Sequence, residues 1–230
     1  MPFELTQHDD VYVLTMDAAD NRFNRISLDR INELLDQVAT VNGPAALVTT
    51  GTDKFYSNGL DLEGVMSGET DMSLIELATE TQRLFARTLT FPRPTVAAIN
   101  GHCFAAGAMW SLAHDFRVMR ADRGFWSLPE IDLRIPFSDG MATLIQARLD
   151  PQTAHLAMTT AHRFGGEAAH RAGIVDHAVP EDAVLPRAIE IAASLAANDP
   201  ETLTAIKRTM YGPVIEALAE IWFVAPILPE

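Results

Sequence analysis

The chain has 230 residues, of which 48% are hydrophobic and 21% charged, a composition typical of one packed globular domain and too apolar for a disordered chain. Its 31 acidic and 17 basic residues give a formal charge of −14, which argues against a nucleic acid or an anionic membrane as partner, because both bind basic patches. The single cysteine, Cys103, excludes an internal disulfide and a thiolate metal cluster and favours a reducing compartment.

The sequence also bears on location. It has no run of about 18 apolar residues, the length that a membrane-spanning helix needs. It shows no basic segment followed by an apolar core at its start, the pattern of a secretory signal. We therefore predict a cytoplasmic protein.

The first half of the chain alternates predicted strands and helices. Strands are predicted over 11–16, 45–50, 95–99 and 116–119. Helices are predicted after Ser27, taken as an N-cap, and over the Ala-rich segment 105–113. Strand and helix in alternation favour a parallel sheet with right-handed crossovers.

Beyond residue 140 the pattern becomes helical. Asp150 and Pro151 start one predicted helix, and others follow over 167–172, over 183–197 and from Pro200. We place a boundary at residues 180–182, which separates a core of residues 1–180 from a helical region of residues 181–230. The apolar tail 221–228 is predicted to need burial, against a core or a neighbouring subunit.

One segment with potential chemistry is the turn Ser-Asn-Gly-Leu-Asp-Leu at residues 57–62. Asn58 and Gly59 both tolerate positive φ, so a tight turn there can leave the amide of Leu60 unpaired. Taken alone, the same segment is more typical of an ordinary surface turn.

A second segment, residues 100–109, lies where a predicted strand ends and a helix begins. Its small residues let a ligand approach the backbone, and the free amides of a first helical turn favour developing negative charge. The alternative is that small residues merely allow close packing. Cys103 and His102 also suggest a nucleophile and a base, but adjacent residues rarely face each other.

The third segment contains Glu130 in apolar surroundings within residues 125–136. Desolvation would disfavour its charged form and make it a better base, unless it is a solvated turn carboxylate. Together, two amide donors and one carboxylate can hold a thioester oxygen as it becomes an enolate and move a proton nearby.

These motifs, in this order, resemble the enoyl-CoA hydratase/isomerase (crotonase) superfamily over about the first 210 residues. The resemblance lies in Arg-Phe-Asn at 22–24, the turn at 57–62, Pro-Thr-Val-Ala-Ala-Ile-Asn-Gly at 94–101, His-Asp-Phe-Arg-Val-Met at 114–119, Pro-Glu-Ile-Asp-Leu at 129–133, and segments within 167–180. It implies an α/β fold, a crotonase-like spiral of ββα units with a C-terminal helical region that builds a homotrimer or a dimer of trimers. It also implies an acyl-CoA thioester substrate, whose coenzyme A replaces any separate cofactor, and no metal.

The resemblance assigns roles to particular residues. The oxyanion amides are those of Leu60 and Ala106, where the family usually has Gly-Gly-Gly, and the catalytic carboxylate is Glu130. The residues that the resemblance places around the substrate are Arg22, Asn24, Asn58, Gly59, Gly107, Met109 and Asp139. For Asp139 a helix-start capping role is the alternative to a place in the acyl pocket.

The family's hydratases carry two glutamates, and the first of the two positions is Met109 here. Hydration requires help in orienting and deprotonating water, whereas a 1,3 proton shift requires one base. The resemblance therefore favours the Δ3,Δ2-enoyl-CoA isomerase branch. A hydratase or another crotonase-type hydrolase or decarboxylase stays open as an alternative, as does a non-catalytic acyl-CoA-binding protein. The sequence leaves the acyl chain length open.

Overall fold

The computed structural model describes residues 2–220, and the predicted burial of the tail 221–228 lies outside this range. The strands are β1 (Phe3–His8), β2 (Val11–Met16), β3 (Ala46–Gly51), β4 (Phe55–Ser57), β5 (Thr95–Ile99), β6 (His102–Phe104), β7 (Phe116–Arg120), β8 (Trp126–Ser127) and β9 (His177–Val179). The helices are α1 (Arg25–Ala39), α2 (Leu62–Ser67), α3 (Leu74–Leu89), α4 (Ala106–Ala113), α5 (Glu130–Leu133), α6 (Asp139–Arg148), α7 (Pro151–Thr160), α8 (Gly166–Arg171), α9 (Glu181–Leu195) and α10 (Pro200–Ala219).

Two sheets organise the described chain. The larger has the order β1-β2-β3-β5-β7-β9, antiparallel between β1 and β2 and parallel elsewhere, and the smaller is the parallel set β4-β6-β8. The chain repeats one pattern three times: a strand of the larger sheet, then a strand of the smaller sheet, then helix. The strand pairs are β3 and β4, β5 and β6, and β7 and β8. This is the predicted spiral of ββα units.

The core lies on both faces of the larger sheet. Valine and alanine side chains of β2, β3 and β5 pack on one face against α9, while the other face meets the aromatic and aliphatic side chains of α1, α3 and α4. Because successive strand residues point to opposite faces, strands buried on both faces read as continuous apolar runs, which is why these strands were predictable.

The helices predicted beyond residue 140 are present as α7 to α10. Asp150 caps α7, with its carboxylate accepting from the Gln152 and Thr153 amides. The boundary at residues 180–182 stays a prediction, and α9, which follows it, packs against β3, β5 and β7. No helix within residues 2–220 is long and apolar enough to cross a membrane.

The start of α1 corrects the sequence prediction. The N-cap is Asn24, not Ser27, because the Asn24 Oδ1 accepts from the Ser27 amide at 3.0 Å. Ser27 completes a capping box from inside the helix, its hydroxyl accepting from the Asn24 amide at 2.8 Å.

Candidate active site

The turn that follows β4 leaves one amide free. Gly59 has φ +84°, a conformation that glycine adopts without steric cost. The Ser57 hydroxyl donates to the Asn21 carbonyl at 2.7 Å and accepts from the Gly59 amide at 3.3 Å. These two hydrogen bonds hold the turn against the segment around Asn21. Phe23 pairs with both flanks of the turn, through the Gly59 carbonyl at 2.8 Å and the Asp61 amide at 2.9 Å. Within residues 2–220 the Leu60 amide between them donates no hydrogen bond.

A second free amide begins α4. Ala105 links β6 to α4 with φ +52° and ψ −127°, and its own amide donates to the Ser127 carbonyl at 3.1 Å. Ala106 is the first residue of the helix, so its amide has no acceptor one turn earlier. In the described part of the chain, nothing else accepts from it.

The two turns touch because glycine occupies the contact points. A Cβ on Gly59 would lie 2.8 Å from the Ala105 Cβ and 3.2 Å from the Ala106 nitrogen. A Cβ on Gly107 would lie 2.7 Å from the Ser57 carbonyl oxygen. Side chains at either position would push the turns apart, so the two glycines set the approach of the two free amides.

Glu130 is the first residue of α5 and is 7% exposed. Its Oε2 atom is buried without a hydrogen-bond partner among the described residues. Burial raises the pKa of this carboxyl to about 8, and a hydrogen bond from its own backbone opposes the shift only in part. With this pKa the carboxyl is mostly protonated at pH 7, because the hydrogen bond from its own backbone offsets only part of the desolvation.

These groups line one cavity of about 420 Å³. It contains Leu60, Ala106 and Glu130, which the sequence assigned to one site, and Met109, which is buried one turn further along α4. Most of the remaining lining is apolar: Leu62, Met66, Leu74, Phe104, Ala105, Pro129, Leu133, Ile135, Pro136, Phe137 and Met141.

Arg22 and Asn58 also line the cavity, with Glu63 beside them. The Arg22 guanidinium lies 2.9 Å from the Glu63 carboxylate and 3.1 Å from the Asp20 carboxylate. The hydrogen bond to Glu63 is the main reason that the pKa of Arg22 is raised. Three carboxylates, including Asp61 at 3.7 Å, therefore surround this cation, and an incoming phosphate would compete with them.

Four of the residues expected around the substrate lie outside the cavity lining: Asn24, Gly59, Gly107 and Asp139. Asn24 caps α1, and its amide nitrogen donates to Asp61 at 3.3 Å. Asp139 is exposed at the first position of α6. Its alternative capping role falls to Ser138, whose hydroxyl accepts from the Met141 amide at 3.1 Å. Ser138 is therefore buried, whereas Asp139, the next residue, is exposed to solvent.

Cys103 and His102 do not form a nucleophile and a base in the cavity. Cys103 is fully buried in the core, and burial raises the pKa of its thiol far above the ordinary value. His102 packs among the rings of Phe55, Phe104 and Phe125. A protonated, enclosed thiol is a poor nucleophile.

The sequence interpretation took Ala105 only as one of several small residues, and it did not identify Phe137 and Met141 as part of the apolar wall that they form with Leu133. The positive φ of Ala105 had no signal in the sequence, because it is a property of the backbone. The wall residues lie in and after the Pro-Glu turn, where apolar side chains follow no helical or strand period. Their proximity to Glu130 in the sequence was the signal available.

In chemical terms, the cavity combines two unpaired amides with one desolvated carboxyl. Amides of this kind stabilise an oxyanion, and a carboxyl whose pKa lies near neutrality transfers protons efficiently in either direction. An apolar wall excludes water and strengthens both interactions.

Comparison with known proteins agrees with this arrangement. The profile of the Enoyl-CoA hydratase/isomerase family matches residues 6–222, and the chain belongs to this family. The chain is 31% identical to enoyl-CoA delta isomerase 3 of Arabidopsis thaliana over 216 residues, which cover 90% of this chain and 91% of the relative. It is 30% identical to the 2,3-dehydroadipyl-CoA hydratase of Escherichia coli K12 over 203 residues, with coverage of 87% and 78%.

A solved structure of an enoyl-CoA hydratase from Mycobacterium ulcerans superposes with a TM-score of 0.87 at 27% identity, covering 95% of each chain. The likeness confirms the crotonase-like fold that the sequence motifs predicted.

Proposed function

We propose that this protein is a crotonase-type acyl-CoA enzyme that isomerises a 3-enoyl-CoA to the 2-trans-enoyl-CoA. Its relatives include a delta isomerase and a hydratase, which supports an isomerase or a hydratase acting on enoyl-CoA. The choice between these two rests on the carboxyl groups of the cavity.

The observation that carries the proposal is the difference between the two carboxyl groups that line the cavity in the described chain. Glu130 is buried and unpartnered, whereas the Glu63 side chain is 79% exposed and pairs with Arg22. Met109, which stands where the family's hydratases have a further glutamate, is apolar and buried. One buried base is sufficient for a 1,3 proton shift, whereas hydration needs more help with water.

In the proposed reaction the thioester oxygen accepts hydrogen bonds from the Leu60 and Ala106 amides. The ionised Glu130 removes a proton from C2, and the electron pair is delocalised over the carbonyl and the double bond as a dienolate. The same carboxyl returns the proton at C4, the double bond moves to C2–C3, and the base is regenerated. The two amides stabilise the oxyanion most strongly when its charge is greatest.

The test is a spectrophotometric comparison of 3-hexenoyl-CoA with 2-trans-hexenoyl-CoA. The isomerase proposal expects the ultraviolet absorbance of the conjugated thioester to rise with the first substrate and to fall little with the second. A fast fall with 2-hexenoyl-CoA, through formation of the 3-hydroxyacyl thioester, would indicate a hydratase. No change with either substrate, together with tight binding of both, would indicate an acyl-CoA-binding protein.

We further propose a homotrimer or a dimer of trimers. The support is the outer face of α10, where Ile206 and Met210 are 51% and 62% exposed. Light scattering at micromolar concentration is expected to give three or six times the chain mass, and a monomer would remove this proposal. The cytoplasmic location stays a prediction.

A further inference from the structure

Ala105 has an unusual backbone conformation for a residue with a side chain. Its φ of +52° and ψ of −127° lie in a region that glycine populates readily and that costs other residues about 1–3 kcal/mol. A methyl group is therefore retained here against a conformational cost.

The methyl group lies beside the two free amides. It lines the cavity, and it is 2.8 Å from the position that a Cβ on Gly59 would take. That same position is 3.2 Å from the Ala106 nitrogen. Ala105 therefore lies where the two turns meet, next to the Ala106 nitrogen, and it lines the same cavity as Leu60 and Ala106.

The chain holds this methyl group in place. The Ala105 amide donates to the Ser127 carbonyl at 3.1 Å, and its carbonyl accepts from the Met109 amide at 3.0 Å. The two backbone groups are thus bonded to β8 and to α4. The methyl cannot withdraw without breaking one of these bonds.

In a thioester whose oxygen is bound by the two amides, C2 is two bonds from that oxygen. A substituent on C2 therefore comes within a few ångströms of the wall that borders the amides. We infer that Ala105 is a specificity-determining residue that restricts the enzyme to acyl-CoA thioesters without a branch at C2. This inference rests on the proposed function, because it assumes that the thioester oxygen occupies the site of the two amides.

Binding of unreactive saturated thioesters tests the inference independently of catalysis. Calorimetry would compare hexanoyl-CoA with 2-methylhexanoyl-CoA on the wild type, Ala105→Gly and Ala105→Ser. We expect the wild type to bind hexanoyl-CoA at least about 10-fold more tightly than 2-methylhexanoyl-CoA. This ratio lies within the range by which one methyl group changes affinity for a pocket. Ala105→Gly is expected to reduce this preference to about 3-fold or less, whereas Ala105→Ser, which keeps a Cβ, retains it.

Ala108→Gly is the matched control. Ala108 lies in the same helix but is buried in the core, and it does not line the cavity. Its loss of a methyl group is expected to leave the preference as in the wild type. A preference that persists in folded Ala105→Gly, or that is absent from the wild type, overturns the inference.

The reactive pair, 3-hexenoyl-CoA and its 2-methyl derivative, separates this inference from the proposed function. If the wild type binds straight chains selectively but isomerises neither substrate, the specificity role of Ala105 stands and the isomerase proposal fails. If it isomerises both at similar rates, the isomerase proposal stands and the role of Ala105 fails.

Discussion

Two regions of this protein bury an ionisable side chain, and they do so in opposite ways. Glu130, in the cavity wall, has a carboxyl oxygen without a hydrogen-bond partner among residues 2–220. Lys207, in α10, is 3% exposed, and its ammonium donates to the Asp115 carboxylate at 2.7 Å and the Phe91 carbonyl at 3.0 Å. Asp115 in turn accepts from the Thr95 amide at 2.8 Å. Lys207, Asp115 and Thr95 thus form a hydrogen-bonded network that holds α10, and we call it the α10 anchor.

The difference shows how partners decide what burial does. At Glu130 desolvation is nearly unopposed, and the pKa rises to about 8. At Lys207 desolvation lowers the pKa, but the neighbouring Asp115 carboxylate opposes this shift. The first arrangement supplies a group that exchanges protons, and the second fixes a helix to the strands beneath it.

The largest expected effect is on catalysis at Glu130. Glu130→Gln keeps the shape of the side chain and removes the base, so isomerisation is expected to fall about 10⁴-fold, the upper end for a general base. Binding of hexanoyl-CoA is expected to persist. The measurement is turnover of 3-hexenoyl-CoA by the purified variant.

Asp132→Asn is the matched control, because Asp132 lies in the same short helix and is exposed. It is expected to change turnover less than about 2-fold. Wild-type turnover in Glu130→Gln together with its loss in Asp139→Asn would assign the base to Asp139 instead.

At the other site, Lys207→Met is expected to lower the free energy of unfolding by about 3 kcal/mol, the low end for breaking a buried ion pair, because it leaves the half-buried Asp115 carboxylate without its cation. Urea denaturation measures this change. Arg208→Met, at the exposed neighbouring position, is expected to change it by less than about 0.5 kcal/mol. Equal effects of the two substitutions would show that the α10 anchor contributes nothing specific.

The oxyanion site is tested by its backbone. Ala106→Pro removes the amide from the first position of α4, where proline is tolerated in a helix, and turnover is expected to fall about 10²–10³-fold. Ala106→Gly keeps the amide and is expected to lose far less. Circular dichroism verifies that both variants fold, and a folded proline variant with undiminished turnover would show that this amide is not used.

The pKa of Glu130 also predicts a pH profile. Because the base form is required and the free protein holds the proton until about pH 8, kcat/KM is expected to rise about tenfold per unit of pH below 8 and then to level off. The measurement is kcat/KM between pH 6 and 9 at constant ionic strength. A profile that is flat from pH 6 would mean that Glu130 is ionised in the free enzyme.

The buried carboxyl of Glu130 also makes the stability depend on pH. The pKa of Glu130 is higher in the folded state than the ordinary value of 4.5, so its contribution to stability is full below about pH 4.5 and is lost as pH rises toward 8. Glu130→Gln removes this loss, and its Tm relative to the wild type is expected to be about 7–14 °C higher at pH 8 than at pH 5, equivalent to about 3–4 kcal/mol. A difference in Tm that is independent of pH would contradict the burial of an unpaired carboxyl.

The elements with a strong local signal could be predicted from the sequence alone. The strands around residues 11–16, 46–51 and 95–99 were predictable from continuous apolar runs, and the glycines at 59 and 107 and the carboxyl at 130 were identifiable by motif. Such signals reside in a few adjacent residues, so no knowledge of distant contacts was needed. The smaller sheet was not predicted, because β4, β6 and β8 have only two or three residues each.

Properties that depend on residues far apart in the chain could be established only from the tertiary structure. Asn24 rather than Ser27 caps α1, Arg22 is surrounded by carboxylates from positions 20, 61 and 63, and Ala105 takes a glycine-like conformation against Gly59. The protonation of Glu130 is the clearest case. Its sequence neighbours predicted an apolar setting, but a pKa depends on whether any cation or donor from the rest of the fold reaches the buried oxygen, and only the packed chain fixes that.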